Sequence, residues 1–267
     1  MPFLLKMHGF CMLIPDFCCT FAPAMRNLPI VTKSLLMANI VFWLLDILLQ
    51  RYGVQLYTLL GLHYVTASGF HWWQPLTYMF MHGGFSHLFF NMFAVLMFGP
   101  VLENEWGVKR YLIYYIICGL GAAAVQEAVW AIKIQSLLTE YTAESVMLNY
   151  ANQVVTIGAS GAVFGILLAF GWLFPNVPMY IFFIPIPIKA KYLVIIYAVI
   201  ELFAGFSHIQ GDNVAHFAHL GGMLFGLLLI LWWNRDKLHM PKFLSKFRKV
   251  EDAKEKDYSD YHYHRKL

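Results

Sequence analysis

Apolar residues occur along this chain in long runs separated by short polar segments, not in the alternating pattern of half-buried strands. A run of about 20 apolar residues can cross a bilayer as a helix, in which every backbone polar group is satisfied internally. A membrane barrel needs alternating segments of about ten residues, which we do not find. The pattern therefore predicts an all-α, polytopic membrane protein with six transmembrane helices. They cover about 32–50, 86–102, 109–131, 156–174, 188–205 and 216–233.

The composition agrees with this fold class, since 60% of the 267 residues are hydrophobic, 13% are charged and the mean hydropathy is +0.59. The net charge of +4 does not indicate nucleic acid, because 10 of the 19 Lys and Arg residues follow Trp233, directly after the last apolar run. A cytosolic tail near lipid head groups accounts for this charge. The four cysteines have neither metal-ligand spacing nor the density of a disulfide scaffold. No metal and no cofactor are predicted.

The chain divides into a membrane domain and two terminal segments. Residues 1–30 form an N-terminal extension, and Met25 offers a second possible start just before the first span. Residues 31–233 form the six-helix domain. Residues 234–267 alternate acidic and basic residues with little apolar content, which predicts a basic, disordered cytosolic tail.

The distribution of positive charge predicts the orientation in the membrane. Lys and Arg precede the first span, join the second span to the third and the fourth to the fifth, and follow the sixth. Because cytosolic segments carry this excess, both termini are predicted to be cytosolic, in the cell (inner) membrane. The odd-numbered loops then face outward. The first of them, 51–85, is rich in Gly, His and Trp and is expected to lie partly in the membrane, while the polar stretch 133–155 is expected to form a short outer helix.

Polar side chains within the predicted spans require a partner, a wet cavity or a function. They are His87, Asn91, Ser160, His216, His219 and the acids Asp46, Glu127 and Glu201. The three acids are expected to be hydrogen-bonded or interfacial. The alternative is a small transporter that uses these acids as a proton relay. The sequence does not show the inverted repeat that is typical of that class.

Ser160 and His219 both lie on glycine-lined helix faces. Ser160 precedes a Gly-x-x-x-Gly pair, and glycines follow His219 after three and seven residues. Such glycines usually serve helix packing, and a membrane histidine is often only a cavity residue. If the two glycine faces meet, however, the hydroxyl and the imidazole also meet. His216, one turn before His219, is the rival partner for Ser160.

A serine and a histidine in contact can perform acyl transfer. The imidazole of His219 would take the serine proton and return it to the leaving group. Asp212 is close in sequence, but nothing fixes it against His219, so a Ser–His dyad is predicted instead of a triad. The Ser160 backbone N–H, His87 and Asn91 are the predicted oxyanion donors; His87 and Asn91 lie four residues apart on one helix face. Metalloprotease and aspartyl motifs are absent from the sequence, and His82 with His87 lacks a third metal ligand.

The fourth span is predicted to be short. From Ser160 to Phe174, before Pro175, about 14 residues rise about 21 Å, less than a bilayer core of about 30 Å. Ser160 would then lie below the outer surface, reached by irregular backbone over 156–158. Irregular backbone at that depth requires a cavity lined by protein or water.

Four sequence motifs together resemble the rhomboid family of intramembrane serine proteases, of the basic six-span type. They are HGGFSHLFFNM (His82, His87, Asn91), ENEWG (Glu103, Gly107), GASGAVFG (Ser160, Gly161) and AHLGGMLFG (His219, Gly222, Gly226). The resemblance implies Ser160 as nucleophile, His219 as base, His87 and Asn91 as oxyanion donors, and single-span membrane proteins as substrates. A non-catalytic rhomboid-like binder of membrane helices is the alternative, although such relatives usually lack the serine or the histidine.

Two positions depart from the family pattern. Trp73-Gln74 stands where many relatives carry Trp-Arg, so an ion pair anchoring the first loop is not expected here. Phe164 stands where some relatives have a tyrosine that stacks on the histidine. Stacking by Phe164 remains possible, whereas a hydroxyl contact does not.

Overall fold

The computed structural model describes residues 28–140, 144–180, 187–206 and 215–235. The predicted extension up to residue 27, with Met25, and the tail from residue 236 lie outside the described residues. The helices are α1 (Ile30–Gln50), α2 (Leu56–Leu60), α3 (Gln74–Thr77), a 3-10 helix (Tyr78–Phe80), α4 (Phe85–Glu140), α5 (Glu144–Gln153), α6 (Ser160–Leu173), α7 (Ala190–Phe206) and α8 (His216–Trp233). The strands are β1 (Leu62–His63), β2 (Val155–Thr156), β3 (Pro178–Met179) and β4 (Ile188–Lys189).

The helices reproduce the predicted spans within a few residues, except that α4 continues to Glu140, beyond the predicted end of the third span near residue 131. By length and composition α1, α4 and α8 are long and apolar enough to cross a membrane, and α6 is a shorter apolar helix. The second and third predicted spans are the two halves of α4. Large apolar side chains remain exposed, such as Leu44 on α1 (53%) and Phe203 on α7 (72%), as expected for lipid-facing surfaces. The prediction of an all-α, polytopic membrane protein is confirmed.

The two halves of α4 are separated at Gly107. This residue has φ +77° and ψ 166°, a conformation outside the helical region. Positive φ strains any residue with a Cβ atom, so glycine is required where the chain leaves one helix and enters the next. Gly107 of the ENEWG motif therefore allows the second and third spans to follow each other with almost no loop.

Glu103, the other motif residue, caps the start of α1. Its carboxylate accepts hydrogen bonds from the backbone N–H groups of Val31 (2.9 Å) and Thr32 (2.8 Å) and from the Thr32 hydroxyl (2.8 Å). The first N–H groups of a helix have no partner within the helix, and its N-terminus attracts negative charge. Glu103 is only 3% exposed, so this cap joins α1 to α4 inside the protein.

Replacing Glu103 by glutamine should destabilise the fold. Glutamine keeps one acceptor oxygen but directs an NH₂ group at donors that the second oxygen had satisfied. Hydrogen bonds to charged groups contribute roughly 1.5–3 kcal/mol each, so we expect a loss of about 2–4 kcal/mol. Thermal unfolding in detergent measures the effect, with the exposed Glu105→Gln as control. Equal melting temperatures for the two variants would contradict the proposed cap.

Glycines bring the backbones of α6 and α8 into contact. A Cβ atom on Gly222 would overlap the carbonyl oxygen of Gly161 and lie 2.6 Å from its carbonyl carbon. A Cβ on Gly165 would lie 3.2 Å from the carbonyl oxygen of Gly222 and 2.7 Å from Cβ of Cys118 on α4. The predicted meeting of the two glycine faces is therefore present at Gly222.

Gly226, the next glycine on α8, faces α4 instead of α6. A Cβ atom there would overlap the Tyr114 hydroxyl and lie 3.0 Å from Sγ of Cys118. The Tyr114 hydroxyl also donates to the Gly165 carbonyl (2.8 Å). The second half of α4 thus forms a common wall against which α6 and α8 pack.

The loop between α1 and α4 is held by Gln74, the residue that departs from the family pattern. This fully buried amide donates to the carbonyl oxygens of Gly69 (2.8 Å) and Leu59 (3.3 Å), and its oxygen accepts from the His63 N–H (3.3 Å). A neutral side chain thus makes three contacts within the loop.

The polar stretch 133–155, which was expected to form a short outer helix, contains α5 (Glu144–Gln153).

Candidate active site

Ser160 is the first residue of α6. The chain reaches it through Gly158, which has φ +126° and donates its N–H to the Tyr78 carbonyl (2.9 Å). α6 ends at Leu173, two residues before Pro175. The predicted short helix starting near Ser160 is therefore present. The preceding backbone is irregular only from residue 157, because Thr156 belongs to β2, which pairs with β1 in antiparallel register.

The side chains of Ser160 and His219 are in contact. Oγ of Ser160 lies 2.8 Å from Nε2 of His219, across the α6–α8 contact that Gly222 permits. The ring of Phe164, one turn after Ser160, stacks on the His219 ring with centroids 4.4 Å apart and planes 8° from parallel. The expected stacking by Phe164 is thus present.

Glu201 lies on the other side of the imidazole. Its Oε2 atom is 2.8 Å from Nδ1 of His219 and 2.6 Å from Nδ1 of His216. His216, the rival partner for Ser160, is therefore directed at the carboxylate. The sequence pattern indicated that Glu201 needs a partner but not that the partner is His219, because Glu201 belongs to α7 and its side-chain direction depends on helix packing. Asp212, the acid considered from the sequence, lies outside the described residues.

His87 and Asn91 line the same cavity as Ser160 and His219. They follow each other by one turn of α4, as predicted, and the Asn91 amide donates to the His87 carbonyl (2.8 Å). A Cβ atom on Gly158 would lie 2.8 Å from Nε2 of His87 and 3.6 Å from Oγ of Ser160. A glycine at 158 therefore leaves the room that the His87 ring needs beside the serine.

The cavity has a volume of about 990 Å³ and a mainly apolar lining. Phe90, Met97 and Leu167 are among its apolar wall residues, and the polar residues Ser160, His219, His87 and Asn91 also line it. An apolar cleft with a few convergent polar groups is the usual form of a ligand site. A cavity beside Ser160 agrees with the expectation that a short fourth span requires one at this depth.

Glu201, His216 and His219 also have ligand atoms within 4.8 Å of one another, so a metal ion is a geometric alternative. The two N···O separations of 2.6 and 2.8 Å are hydrogen-bond distances. Ligand atoms bound tetrahedrally to zinc at about 2.0–2.1 Å would lie about 3.3 Å apart. The arrangement thus fits shared protons better than a shared ion.

The other acids in the spans have hydrogen-bond donors, as expected. Asp46 accepts from the Gln50 amide (2.7 Å) and the Leu56 N–H (3.1 Å), and Glu127 accepts from the Val65 N–H (3.1 Å). Each of these two carboxylates thus has at least one hydrogen-bond donor among the described residues.

His82 lies outside the helices, buried edge-to-face against His87 at a centroid distance of 5.0 Å. Burial lowers the pKa of His82 to about 3, so its ring is neutral at physiological pH. His82 consequently adds no positive charge beside the site.

Comparison with known proteins shows which family the sequence resembles. The Rhomboid domain model matches residues 69–235. RHOMBOID-like protein 5 of Arabidopsis thaliana is 34% identical over 161 residues, covering 60% of this chain and 44% of that protein. Putative rhomboid protease YdcA of Bacillus subtilis is 32% identical over 55% of this chain and 63% of its own length. Rhomboid-like protease 3 of Toxoplasma gondii is 27% identical over 77% and 70%, respectively.

The chain thus spans about half to two thirds of the length of the first two relatives. The family match covers more than half of the chain and includes Ser160, His219, His87 and Asn91. This coverage, together with the helical membrane fold, shows that the protein belongs to the rhomboid family.

Proposed function

We propose that this protein is an intramembrane serine endopeptidase that hydrolyses peptide bonds in or near transmembrane segments of membrane proteins. In this proposal Ser160 is the nucleophile and His219 the general base. The observation that carries it is the 2.8 Å contact between Oγ of Ser160 and Nε2 of His219 inside a cavity. A hydroxyl is a weak nucleophile and gains reactivity when a base within hydrogen-bond distance accepts its proton.

The reaction would proceed in two acyl-transfer steps. Oγ of Ser160 attacks the carbonyl carbon of the scissile bond while its proton moves to Nε2 of His219. The resulting tetrahedral intermediate collapses when His219 gives that proton to the leaving amine, which leaves an acyl-serine. A water molecule, deprotonated by the same Nε2 atom, then attacks the acyl carbon, and the serine regains its proton.

The oxyanion of each intermediate requires preorganised donors. The Ser160 backbone N–H is available because Ser160 begins α6 and its N–H has no partner within that helix. The side chains of His87 and Asn91 line the cavity beside it. In known hydrolases, removal of one such donor slows catalysis by about 10²–10³-fold.

Single-span membrane proteins, cut near their outer ends, are the proposed substrates. The mainly apolar lining of the cavity suits a peptide segment with apolar side chains. We place the protein in the cell (inner) membrane, and the charge distribution supports a cytosolic position for both termini. The active site would then open toward the outer face.

Covalent labelling tests the proposal without knowledge of the natural substrate. Purified protein in detergent should react with a fluorophosphonate, and peptide mass spectrometry should find the adduct on Ser160. The protein should also cleave a single-span test substrate whose helix is weakened by glycine or proline near its outer end. Heat-denatured protein is the control and should remain unlabelled.

Two results would contradict the proposal. One is labelling that maps to a serine other than Ser160. The other is a protein that retains the test substrate through purification but neither cleaves it nor reacts with the probe. This second result would support the alternative, a rhomboid-like protein that binds membrane helices without cutting them.

A further inference from the structure

Glu201 is the one acidic side chain among the described residues that contacts His219. It lies on α7, is 8% exposed, and has its Oε2 atom 2.8 Å from Nδ1 of the His219 ring. The opposite ring nitrogen, Nε2, lies 2.8 Å from Oγ of Ser160. Hydroxyl, imidazole and carboxylate therefore form a continuous chain of side-chain contacts supplied by three helices.

This chain of contacts defines where the imidazole carries its proton. An ionised carboxylate has no proton to give and can only accept a hydrogen bond. Nδ1 of His219 must then donate to Glu201, and in the neutral ring Nε2 is left with a lone pair. That tautomer is the one that can accept the Ser160 proton.

The ring is also held in place mechanically. Phe164 stacks on one face of it at 4.4 Å, and the carboxylate fixes its Nδ1 edge. The same Glu201 oxygen is 2.6 Å from Nδ1 of His216, which gives the carboxylate a second anchor on α8. The carboxylate is thereby restrained from turning away from His219.

We propose that Glu201 is a positioning residue of the active site and completes a Ser160–His219–Glu201 triad. This inference rests on the proposed function and replaces the dyad expected from the sequence. Glu201 holds His219 in the tautomer with the proton on Nδ1, and its negative charge stabilises the imidazolium that forms when the serine proton arrives at Nε2. The proton stays on the imidazole, and Glu201 remains ionised throughout.

Glu201→Gln tests the role because it removes the charge while it keeps the size of the side chain. With the test substrate, kcat should fall by about 10²–10⁴-fold with little change in KM, since the lost interaction acts on the transition state. Glu127→Gln is the matched control: it makes the same change in a half-buried carboxylate of α4 whose Oε2 accepts from Val65. This control should retain the wild-type rate.

The tautomer of His219 provides a measurement that a merely structural role would not move. In ¹⁵N-histidine NMR spectra, assigned with a His219→Ala sample, the wild-type protein should show a protonated Nδ1 and an unprotonated Nε2. Glu201→Gln should shift His219 toward a mixture of tautomers. The wild-type measurement does not depend on Glu201→Gln, so it remains decisive even if that variant fails to fold.

The inference is overturned if folded Glu201→Gln loses less than about tenfold in kcat, or if wild-type His219 carries its proton on Nε2. Either result leaves the proposed protease activity intact, provided that Ser160→Ala is inactive. An active Ser160→Ala variant would instead refute the proposed function itself. The two failures are therefore distinguishable.

Discussion

Ser160→Ala is expected to abolish cleavage of the single-span test substrate and labelling by the fluorophosphonate. Alanine removes the oxygen atom that would form the acyl-enzyme in the proposed mechanism, while the backbone N–H at the start of α6 remains. Loss of the nucleophile in a serine hydrolase lowers kcat by about 10⁶-fold in the best-studied case. We expect at least about 10³-fold here, close to the background of the assay. Because the change deletes one partly exposed hydroxyl, the melting temperature should stay near that of the wild type.

His219→Ala should lower cleavage to a similar level, since residues that act as a unit lose most of the rate when either is removed. His216→Ala distinguishes the two histidines of α8. His216 is directed at Glu201, so this variant should remain well above the Ser160→Ala background. An active His219→Ala together with an inactive His216→Ala would exchange their roles. Full activity of Ser160→Ala would refute the assignment of the nucleophile.

The membrane fold could be predicted from the sequence because lipid imposes the same physical requirement on every span. Every backbone polar group must be paired within the segment, so the length of an apolar run is enough to define a helix. The two ends of α6 were also predictable from nearby residues, since Pro175 limits its end and GASG marks its beginning. Only local signals were needed for both.

The contact between Glu201 and His219 could not be predicted, because it depends on how α7 is rotated against α8. Glu201 is 18 residues from His219 in sequence, and the polar-residue pattern did not show which way its carboxylate points. Glu103 presents the same difficulty: the motif identified it, but its partners on α1 are about 70 residues away. Contacts between helices therefore carried the information that the sequence alone did not.

Gly222→Ala is expected to cause a large loss of activity, although it adds only a methyl group and lies outside the site. Cβ would overlap the carbonyl oxygen of Gly161 and lie 2.6 Å from its carbonyl carbon. Backbone atoms cannot rotate away as a flexible side chain can, so α6 and α8 must separate by about 1 Å or more. A displacement of about 1 Å can lower the rate about 10²-fold, and Ser160 and His219 lie on the two helices that move apart.

The loss should appear in the rate of fluorophosphonate labelling at Ser160, which reports on the Ser160–His219 contact directly. Overpacking also destabilises by about 1–3 kcal/mol, so the melting temperature should fall as well. Gly84→Ala is the matched control, because a Cβ atom there meets nothing within 4 Å. If Gly222→Ala labels and melts like Gly84→Ala, then α6 and α8 do not approach as closely as their backbones do here, and the 2.8 Å contact between Ser160 and His219 loses its structural basis.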